Sequence, residues 1–322
     1  MNYSAERINN YIRENRFGEL IEISEQRHRK QFEELREMIR NANKDVQHEK
    51  VTEAVLITGP SSSGKTTFAH LVAEMLSEDG YDCTVISFDN YYKDRAEIQK
   101  MHLESGFVPT EENDYDYETL DAFDVEFFKK QMNEYLAGNE IVLPKYDFTT
   151  GTRVPGDIVL KPTEKDMLII EGIHALNPAL RTGVDFMFSF NVYICPFDFF
   201  GADQNEQVIR PQELRFMRRA VRDSVKRGAT LRRTMEMWPN VRRGEEKFIK
   251  PMKAYTDFFF NSSLEYEIAY LKKKIFEMRD ELDEEGKQML EKFVPVRTLE
   301  YFDGIDGFEI PDKSIFNEFY IK

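Results

Sequence analysis

A glycine-rich stretch between two apolar patterns constrains this chain more than any other feature. It matches the pattern Gly-x-x-x-x-Gly-Lys-Ser/Thr in full, with the residues Gly59, Pro60, Ser61, Ser62, Ser63, Gly64, Lys65, Thr66 and Thr67. The apolar run 54–58 before it predicts a buried parallel strand, and the apolar spacing in 68–76 after it predicts a helix. Strand, turn and helix are the setting in which backbone N–H groups cradle phosphate oxygens. The sequence therefore predicts a binding site for a nucleoside triphosphate.

Residues 59–67 form a phosphate-binding loop, or P-loop, by this pattern, and two of its side chains have predicted roles. Lys65 is expected to reach the outer phosphates, and the hydroxyl of Thr66 is expected to contact Mg²⁺. The alternative is a Gly/Ser-rich turn that matches by chance, and the strand and helix patterns on either side disfavour it.

Acidic residues follow or close two further candidate strands. Asp89 follows the strand pattern 82–88, and Glu171 closes the pattern 167–171. Ligands of open parallel sheets gather at the carboxyl ends of the strands, so both carboxylates are expected to face the phosphate site. There Asp89 would accept the proton of an attacking hydroxyl and help to organise Mg²⁺, and Glu171 would hold the metal. The alternative for Asp89 is that it only caps its loop.

Strand and helix patterns alternate from residue 51 onward. The candidate strands are 53–58, 82–88, 167–171 and 186–194, and the candidate helices lie near 64–78, 118–137 and 205–228. This alternation predicts an α/β fold, a P-loop NTPase-type parallel sheet with helices on both faces. The turn-rich, aromatic segment 141–153 predicts a small β-hairpin beside the sheet.

Basic residues share one face of the helix pattern 205–228. They recur at the spacing of a single helix face, with Arg215, Arg218, Arg219, Arg222 and Lys226. In a chain with a formal net charge of −15, this stripe favours an arginine-rich lid that closes over a polyphosphate, because guanidinium groups match phosphate oxygens. The alternative is a solvated helix face that pairs with nearby glutamates.

Composition narrows the possible partners and the compartment. The net charge of −15 argues against broad nucleic-acid binding, since a polyanion would be repelled. No segment has the length and apolarity of a membrane span, and the N-terminus has no signal core, so a cytoplasmic location is expected. The two cysteines, Cys83 and Cys195, are expected to be buried thiols. The aromatic content of 13% is compatible with a homo-oligomer but does not decide it.

Together these motifs resemble the uridine kinase/phosphoribulokinase family of P-loop kinases. The matching blocks follow the family order between about residues 51 and 275, and they are 59–67, 88–92, 117–124, 144–148, 169–173, 218–223, 226–228 and 248–257. The resemblance implies ATP- and Mg²⁺-dependent phosphorylation of a hydroxyl, typically the 5′-hydroxyl of a nucleoside. It extends to bacterial members whose N-terminal region is similar to part of threonyl-tRNA synthetase, on residues 20–25 and 310–319. Because His28 has no histidine partner at i+4, no tRNA role is expected.

The resemblance also implies residue roles. Asp89 would be the catalytic base, and Glu118 would hold sugar hydroxyls. Tyr92 and Tyr146 would line the acceptor pocket. Arginines would form the phosphate clamp, namely Arg219, Arg222 and Arg227. The metal site would consist of Thr66, Asp89 and Glu171.

This sequence departs from the family at the acceptor end. Gly151 stands where uridine kinases have a base-reading histidine, Ala229 replaces an arginine, Met237 replaces a glutamine, and Glu118 replaces an aspartate. Losing these donors predicts a wider and less polar pocket. Pyrimidine specificity is therefore in doubt. A sugar, a sugar phosphate or another small hydroxyl compound stays open as the acceptor, as does an ATP-binding regulatory module without turnover.

The chain divides into three predicted parts. Residues 1–50 form a helical extension in which Phe32, Leu35 and Ile39 share an apolar face. Residues 51–275 form the P-loop kinase domain, with the lid at about 205–250. Residues 276–322 are expected to be a helix followed by an irregular tail.

Overall fold

The structure is a computed structural model, and it describes residues 2–44, 53–106, 115–184, 188–202 and 208–320. Residues 1, 45–52, 107–114, 185–187, 203–207 and 321–322 lie outside the described residues, and they include the start of the predicted strand 186–194 and of the predicted helix 205–228. The strands are β1 (Asn2–Ser4), β2 (Glu53–Thr58), β3 (Asp82–Ser87), β4 (Ile141–Val142), β5 (Lys145–Asp147), β6 (Thr152–Val154), β7 (Val159–Leu160), β8 (Asp166–Glu171), β9 (Phe188–Cys195), β10 (Phe199–Gly201), β11 (Val208–Ile209) and β12 (Phe258–Asn261).

Helices connect these strands and continue beyond the last one. They are α1 (Ala5–Arg13), α2 (Phe17–Lys44), α3 (Lys65–Ser77), α4 (Arg95–Glu104), α5 (Val125–Leu136), α6 (Pro178–Arg181), α7 (Pro211–Lys226), α8 (Leu231–Gly244), α9 (Glu267–Asp280), α10 (Glu284–Leu290) and α11 (Val296–Leu299). Short 3₁₀ or π turns lie at Phe88–Tyr91, Leu120–Ala122, Glu245–Ile249, Lys250–Tyr255 and Ile315–Glu318. Within the described ranges, no helix combines the length and the apolarity that crossing a membrane requires.

A five-stranded sheet forms the centre of the molecule. Its strand order is β12-β9-β2-β8-β3, and every neighbouring pair runs parallel. Helices pack on both faces, which confirms the predicted α/β class and P-loop type of sheet. Four of the strands correspond to the candidate strands, and β12 has no counterpart among them. Its four residues are too few to show a pattern in the sequence.

Alternate residues of each strand supply two separate apolar clusters. Ala54 and Leu56 of β2 pack in the cluster that includes α5, whereas Val55 and Ile57 pack in the cluster that includes α2 and α3. Successive side chains of a strand point to opposite faces of the sheet, so a strand with helices on both sides needs an unbroken apolar run. The runs in β2 and β8 meet this requirement.

The N-terminal helices pack against the sheet rather than standing apart from it. Leu35 and Ile39 of α2 are fully buried, and the Phe32 ring stacks on Phe68 of α3 with centroids 5.2 Å apart. Ahead of α1, β1 pairs in parallel with β10. The apolar face of α2 therefore covers one side of the P-loop helix.

A third apolar cluster joins both ends of the chain. It contains side chains of α1, α7, α8 and α9, and it includes Phe316 and Phe319 from the C-terminal segment. Phe316 packs edge-on against Tyr266 and Tyr270, with centroids 5.6 and 5.7 Å away. The segment after α11 is thus irregular in its backbone but firmly packed.

Two helices begin later than the sequence patterns predict. The predicted helix 118–137 begins at Val125, because the side chain of Asp124 accepts a hydrogen bond from Phe127 N at 3.1 Å and caps it. The predicted helix 205–228 begins at Pro211, whose ring suits a first helical turn. The described residues ahead of these two helices, 118–124 and 208–210, take other backbone conformations.

The predicted hairpin is present beside the sheet. β5 and β6 pair antiparallel, and the turn between them is closed by Gly151 N, which donates to Asp147 O at 2.7 Å. A second antiparallel pair, β4 with β7, extends this small β-region. The hairpin places Tyr146 next to the end of β3, where Asn90 Oδ1 accepts a hydrogen bond from Tyr146 N at 3.0 Å.

His28 of α2 makes folding stability depend on pH. The ring is buried against Phe260, and Nε2 donates to Ser263 O at 3.2 Å. Burial, followed by the charge of Arg218, lowers the pKa of His28 from 6.5 to about 3. The unfolded chain therefore binds a proton in this pH range that the folded chain excludes.

We expect the free energy of unfolding to fall as the pH is lowered from about 6.5 towards 3, because each unit of pKa difference is worth about 1.4 kcal/mol. In a His28→Gln variant this fall should be smaller. Urea unfolding at a series of pH values measures it, with His70→Gln at an exposed position of α3 as the matched control. An unchanged pH slope in His28→Gln would show that the ring is not held neutral.

Candidate active site

A cavity of about 1240 Å³ opens where β2, β3 and β8 end. The P-loop, the hairpin, α7 and the C-terminal segment complete its walls. The cavity lining includes most of the predicted site residues, namely Ser61, Ser62, Lys65, Thr66, Thr67, Asp89, Tyr92, Glu118, Tyr146, Glu171, Arg219, Arg222 and Arg227. The remaining predicted P-loop residues, Gly59, Pro60, Ser63 and Gly64, form the turn behind this lining.

The P-loop has a backbone shape that requires glycine at two positions. A Cβ on Gly59 would overlap with the carbonyl oxygen of Ile194, so the loop and β9 approach at backbone distance. Gly64 has φ +96°, and a Cβ there would overlap with the Ile315 side chain. Ser62 also adopts a left-handed conformation, with φ 58°. These dihedral angles turn the chain from β2 into α3 and leave the first turn of α3 facing the cavity.

A hydroxyl and a carboxylate meet at the predicted metal position. Thr66 Oγ1 donates to Glu171 Oε1 at 3.3 Å, and Ser87 Oγ donates to the same oxygen at 2.7 Å. Burial raises the pKa of Glu171 to about 7, and the charge of Asp89 adds to the effect while that of Lys65 opposes it. A divalent cation would offset the repulsion between these acids, and oxygen donors are the ligands that Mg²⁺ prefers, so the residues fit the predicted metal.

Two carboxylates carry buried oxygens that lack a donor. Asp89 lies in the 3₁₀ turn after β3, and Glu118 lies just before the turn Leu120–Ala122. Asp89 Oδ1 and Glu118 Oε2 are both buried without a hydrogen-bond partner among the described residues. Burial raises the pKa of Glu118 to about 7, although the charge of Arg219 opposes this and that of Asp89 adds to it. Both oxygens are therefore available to a ligand that brings donors.

Glu118 is positioned by groups that no sequence motif reveals. His174 Nε2 donates to Glu118 O at 2.9 Å, and burial lowers the pKa of His174 to about 4, so the ring is neutral at pH 7. His174 is thus a structural residue that orients the main chain at Glu118. Gly244, at the end of α8, has no room for a Cβ because Glu118 Cβ occupies the space. The end of α8 thus fixes the backbone on which Glu118 stands.

Gly172, directly after β8, lies close to the turn that carries Asp89. A Cβ on Gly172 would lie 2.7 Å from Phe88 Cβ. The glycine therefore makes room for the residue that precedes Asp89. Its effect on the site is indirect, through the position of the 3₁₀ turn.

Aromatic rings form the acceptor wall of the cavity. The centroids of Tyr92 and Tyr146 lie 5.4 Å apart, and Tyr92 stacks on Phe123 at 3.9 Å. Tyr92 OH donates to Tyr117 O at 3.1 Å. Phe148 closes the same wall, and the Arg227 guanidinium lies 4.4 Å from its ring centroid. The hairpin and the end of α7 therefore meet across the cavity.

Asp223 is a site residue that the sequence analysis does not single out. Its carboxylate pairs with Arg222 at 2.8 Å, with Arg219 at 3.2 Å and with Arg227 at 3.7 Å. Although burial raises the pKa of Asp223, the charges of Arg222, Arg219 and Arg227 hold it below its usual value. One aspartate thus orients the three predicted phosphate-binding arginines. Its spacing of four residues from both Arg219 and Arg227 is a signal that could have identified it.

Arg215 and Arg218 do not face the phosphate site, which corrects the prediction of one continuous lid stripe. Arg215 pairs with Glu245 at 2.6 Å, and Arg218 pairs with Glu267 at 2.6 Å. Both guanidinium groups are buried, so the solvated alternative is also wrong. Arg215 Nη1 donates to Ser61 O at 3.1 Å and therefore supports the P-loop from behind. Arg215 and Arg218 therefore hold the P-loop in place, whereas Arg219 and Arg222 of the same helix line the cavity.

Arg95 fills the space next to Gly151. A Cβ on Gly151 would lie 2.7 Å from Arg95 Cζ, and Gly151 has φ +70°. The predicted widening of the pocket at this glycine is therefore not observed. Arg95, Ala229 and Met237 line the cavity instead. A histidine at position 151 would require both backbone strain and displacement of Arg95.

Glu318 lines the cavity from a part of the chain for which no site residue is predicted. It lies in the 3₁₀ turn Ile315–Glu318, and its carboxylate is 3.4 Å from Arg222 Nη1. No local motif marks it, because its position depends on how the C-terminal segment packs against the P-loop.

Comparison with known proteins places these features in a family context. The chain matches the model of the Phosphoribulokinase / Uridine kinase family over residues 54–269. A uridine kinase from Borrelia duttonii (strain Ly) is 32% identical over 203 residues, which cover 62% of this chain and 82% of the relative. A uridine kinase from Lactobacillus helveticus (strain DPC 4571) is 32% identical over 216 residues, which cover 66% and 88%. The solved phosphoribulokinase from Rhodobacter spheroides has 16% identity and a TM-score of 0.45, covering 66% of this chain and 70% of that one.

A Glu171→Gln variant should need about tenfold more Mg²⁺ for half-maximal nucleotide binding, because an acid that holds or orients a metal typically contributes that much affinity. Titration of Mg²⁺ at fixed ATP, followed by calorimetry, measures the shift. Glu164→Gln, at an exposed position just before β8, is the matched control. An unchanged Mg²⁺ requirement would exclude Glu171 from the metal site.

Proposed function

This chain belongs to the phosphoribulokinase/uridine kinase family and is a phosphotransferase that acts on a hydroxyl group, and we propose that it transfers the γ-phosphoryl group of Mg²⁺-ATP to the 5′-hydroxyl of a nucleoside. The proposal assigns ATP to the P-loop side of the cavity and the nucleoside to the side of the hairpin.

The observation that carries the proposal is the pair of buried carboxylate oxygens without donors, on Asp89 and Glu118. Leaving a buried acceptor unsatisfied costs free energy, so this pair favours a ligand that brings hydroxyl donors. A ribose presents several hydroxyls on one ring. The aromatic wall of Tyr92 and Tyr146 suits a flat base beside that ring.

The residues provide the elements that phosphoryl transfer needs. Asp89 accepts the proton of the attacking hydroxyl. The oxygen of that hydroxyl bonds to the γ-phosphorus of ATP while the bond between this phosphorus and the ADP oxygen breaks. Lys65 and the arginines held by Asp223 stabilise the negative charge on the transferred group and on the leaving group. Held near Thr66 and Glu171, Mg²⁺ would supply further positive charge to the phosphate oxygens.

A sugar phosphate is the second candidate acceptor, and cations in the cavity wall favour it. Arg95, Lys145 and Arg233 line the cavity, and no ion pair with a described residue is found for any of them. Such cations could bind an anionic group. Ala229 and Met237, at the positions of a family arginine and glutamine, are consistent with an acceptor other than a pyrimidine nucleoside.

We also propose a cytoplasmic location and the division into parts at 1–50, 51–275 and 276–322. The family match over 54–269 supports the central boundaries. The small-molecule acceptor and the net charge of −15 make nucleic acid an unsuitable partner. A homo-oligomer is compatible with this proposal.

Asp89→Asn should retain Mg²⁺-ATP binding but lose turnover by about 10²–10⁴-fold, because the amide does not accept the proton of the acceptor. Calorimetry with ATP and an ADP-release assay measure the two effects separately. Asp121→Asn, at an exposed position, is the control. Near-normal turnover in Asp89→Asn would remove its assignment as the base.

A panel of nucleosides, sugars and sugar phosphates should identify a nucleoside as the best stimulator of ADP release. In Glu118→Gln, the KM of that nucleoside should rise about tenfold or more with little change in the KM of ATP, because a hydrogen bond to a charged acceptor is lost. A response to sugar phosphates alone, weakened by Arg233→Gln, would favour the second candidate. Tight ATP binding without a response to any acceptor would favour the regulatory module.

A further inference from the structure

The C-terminal segment 310–320 reaches the phosphate side of the cavity, although it lies outside the residues that match the family model. Its 3₁₀ turn Ile315–Glu318 packs beside the P-loop, where the Ile315 side chain occupies the space next to Gly64. Lys313 also pairs with Glu74 of α3 at 2.5 Å. The segment therefore forms part of the surface that a nucleotide would meet.

Several contacts hold the backbone of this segment in place. Ser314 Oγ donates to Glu25 Oε1 at 2.6 Å, and Tyr266 OH donates to the same oxygen at 2.6 Å. Phe316 is fully buried in the third apolar cluster. Because these groups belong to α2 and to the start of α9, the position of the turn is set by the body of the protein.

The side chain of Glu318 has fewer constraints than the backbone beneath it. Its Oε1 is 3.4 Å from Arg222 Nη1, a long ion pair, and its Oε2 is buried without a donor among the residues described. The side chains of Arg222 and Glu318 are 10% and 12% exposed. The main-chain oxygen of Glu318 accepts from Lys226 Nζ at 2.9 Å. This carboxylate therefore lies among cations that the proposed function assigns to phosphate oxygens.

A carboxylate in this position has two opposed effects on an incoming triphosphate. It neutralises part of the charge of Arg222 while the phosphates are absent, which offsets repulsion among the clustered arginines. It also repels phosphate oxygens. Its charge reaches Glu171 as well, where it adds a smaller rise in pKa to the larger ones caused by burial and by Asp89. Because Arg222 keeps Asp223 as a second partner at 2.8 Å, it would not be left without a counter-ion if Glu318 turned away.

We propose that Glu318 is an internal counter-ion of the phosphate site, which nucleotide phosphate displaces from Arg222 while the C-terminal backbone stays in place. The inference rests on the proposed function, since it assumes that a nucleotide binds at the P-loop. It assigns the C-terminal segment a role in setting nucleotide affinity, which neither the P-loop motif nor the family match implies.

The test measures nucleotide binding to the full-length chain by calorimetry, without an acceptor. Glu318→Gln keeps the shape of the side chain and removes its charge, so it should bind Mg²⁺-ATP about three- to tenfold more tightly, the size expected for one partly screened charge near the phosphates. Glu309→Gln, a change at an exposed position directly before this segment, should leave the affinity unchanged. Glu318→Asp keeps the charge and should stay near the wild-type value.

Two further measurements locate the effect. Inorganic triphosphate should show the same gain as ATP, because the displaced contact is to phosphate. In an Arg222→Gln background, Glu318→Gln should produce a much smaller gain, since the two side chains act through one contact.

Unchanged or weaker binding of ATP by a folded Glu318→Gln variant would overturn the inference. A loss of affinity for ATP in Glu318→Gln, with the affinity for inorganic triphosphate unaffected, would also overturn the inference and would place Glu318 against the nucleoside part. If the wild-type chain binds no ATP, the proposed function fails instead. The two failures are therefore distinguishable in one set of titrations.

Discussion

The site depends on two buried ion pairs that hold the P-loop from behind. Arg218 is fully buried against Glu267, and Arg215 is buried against Glu245. Each guanidinium also lies within hydrogen-bond distance of a P-loop carbonyl, Arg215 with Ser61 O at 3.1 Å and Arg218 with Ser62 O at 3.5 Å. Removing one partner of such a pair typically costs about 3–5 kcal/mol, because the other charge stays buried. The loop that would bind phosphate is thus tied to α7, to the π turn after α8 and to α9.

This arrangement explains why a helix rich in arginine serves both the fold and the ligand. On α7, Arg215 and Arg218 are directed to the interior, while Arg219 and Arg222 reach the cavity and share Asp223. The cations that face the cavity are therefore positioned by a helix whose other side is fixed in the core. Such preorganisation lowers the cost of arranging charges during phosphoryl transfer.

Sequence reasoning succeeded where a short segment carries its own signal. The P-loop, the apolar runs of β2 and β8, and the acids at the strand ends are local patterns, and the parallel sheet brings them together as predicted. It failed where the partner is distant in the chain. Contacts between remote segments decide the partners of Arg215 and Arg218. They also place Glu318 in the cavity wall and form the hydrogen bond from His174 to Glu118. The late starts of α5 and α7 followed from local caps, which periodicity alone does not show.

The two ends of the cavity differ in how their charges are balanced, and this difference bears on selectivity. At the phosphate end, Asp223 and Glu318 already offset part of the charge of the arginines, so an incoming polyphosphate would take the place of Glu318 while Asp223 stays paired. At the acceptor end, buried oxygens of Asp89 and Glu118 have no donor among the residues that the structure describes, so an incoming ligand would add hydrogen bonds there. Exchange gives modest net affinity, whereas supplying missing donors discriminates strongly against ligands without them. Acceptor choice should therefore be set by the number and placement of hydroxyl groups more than by charge at the P-loop.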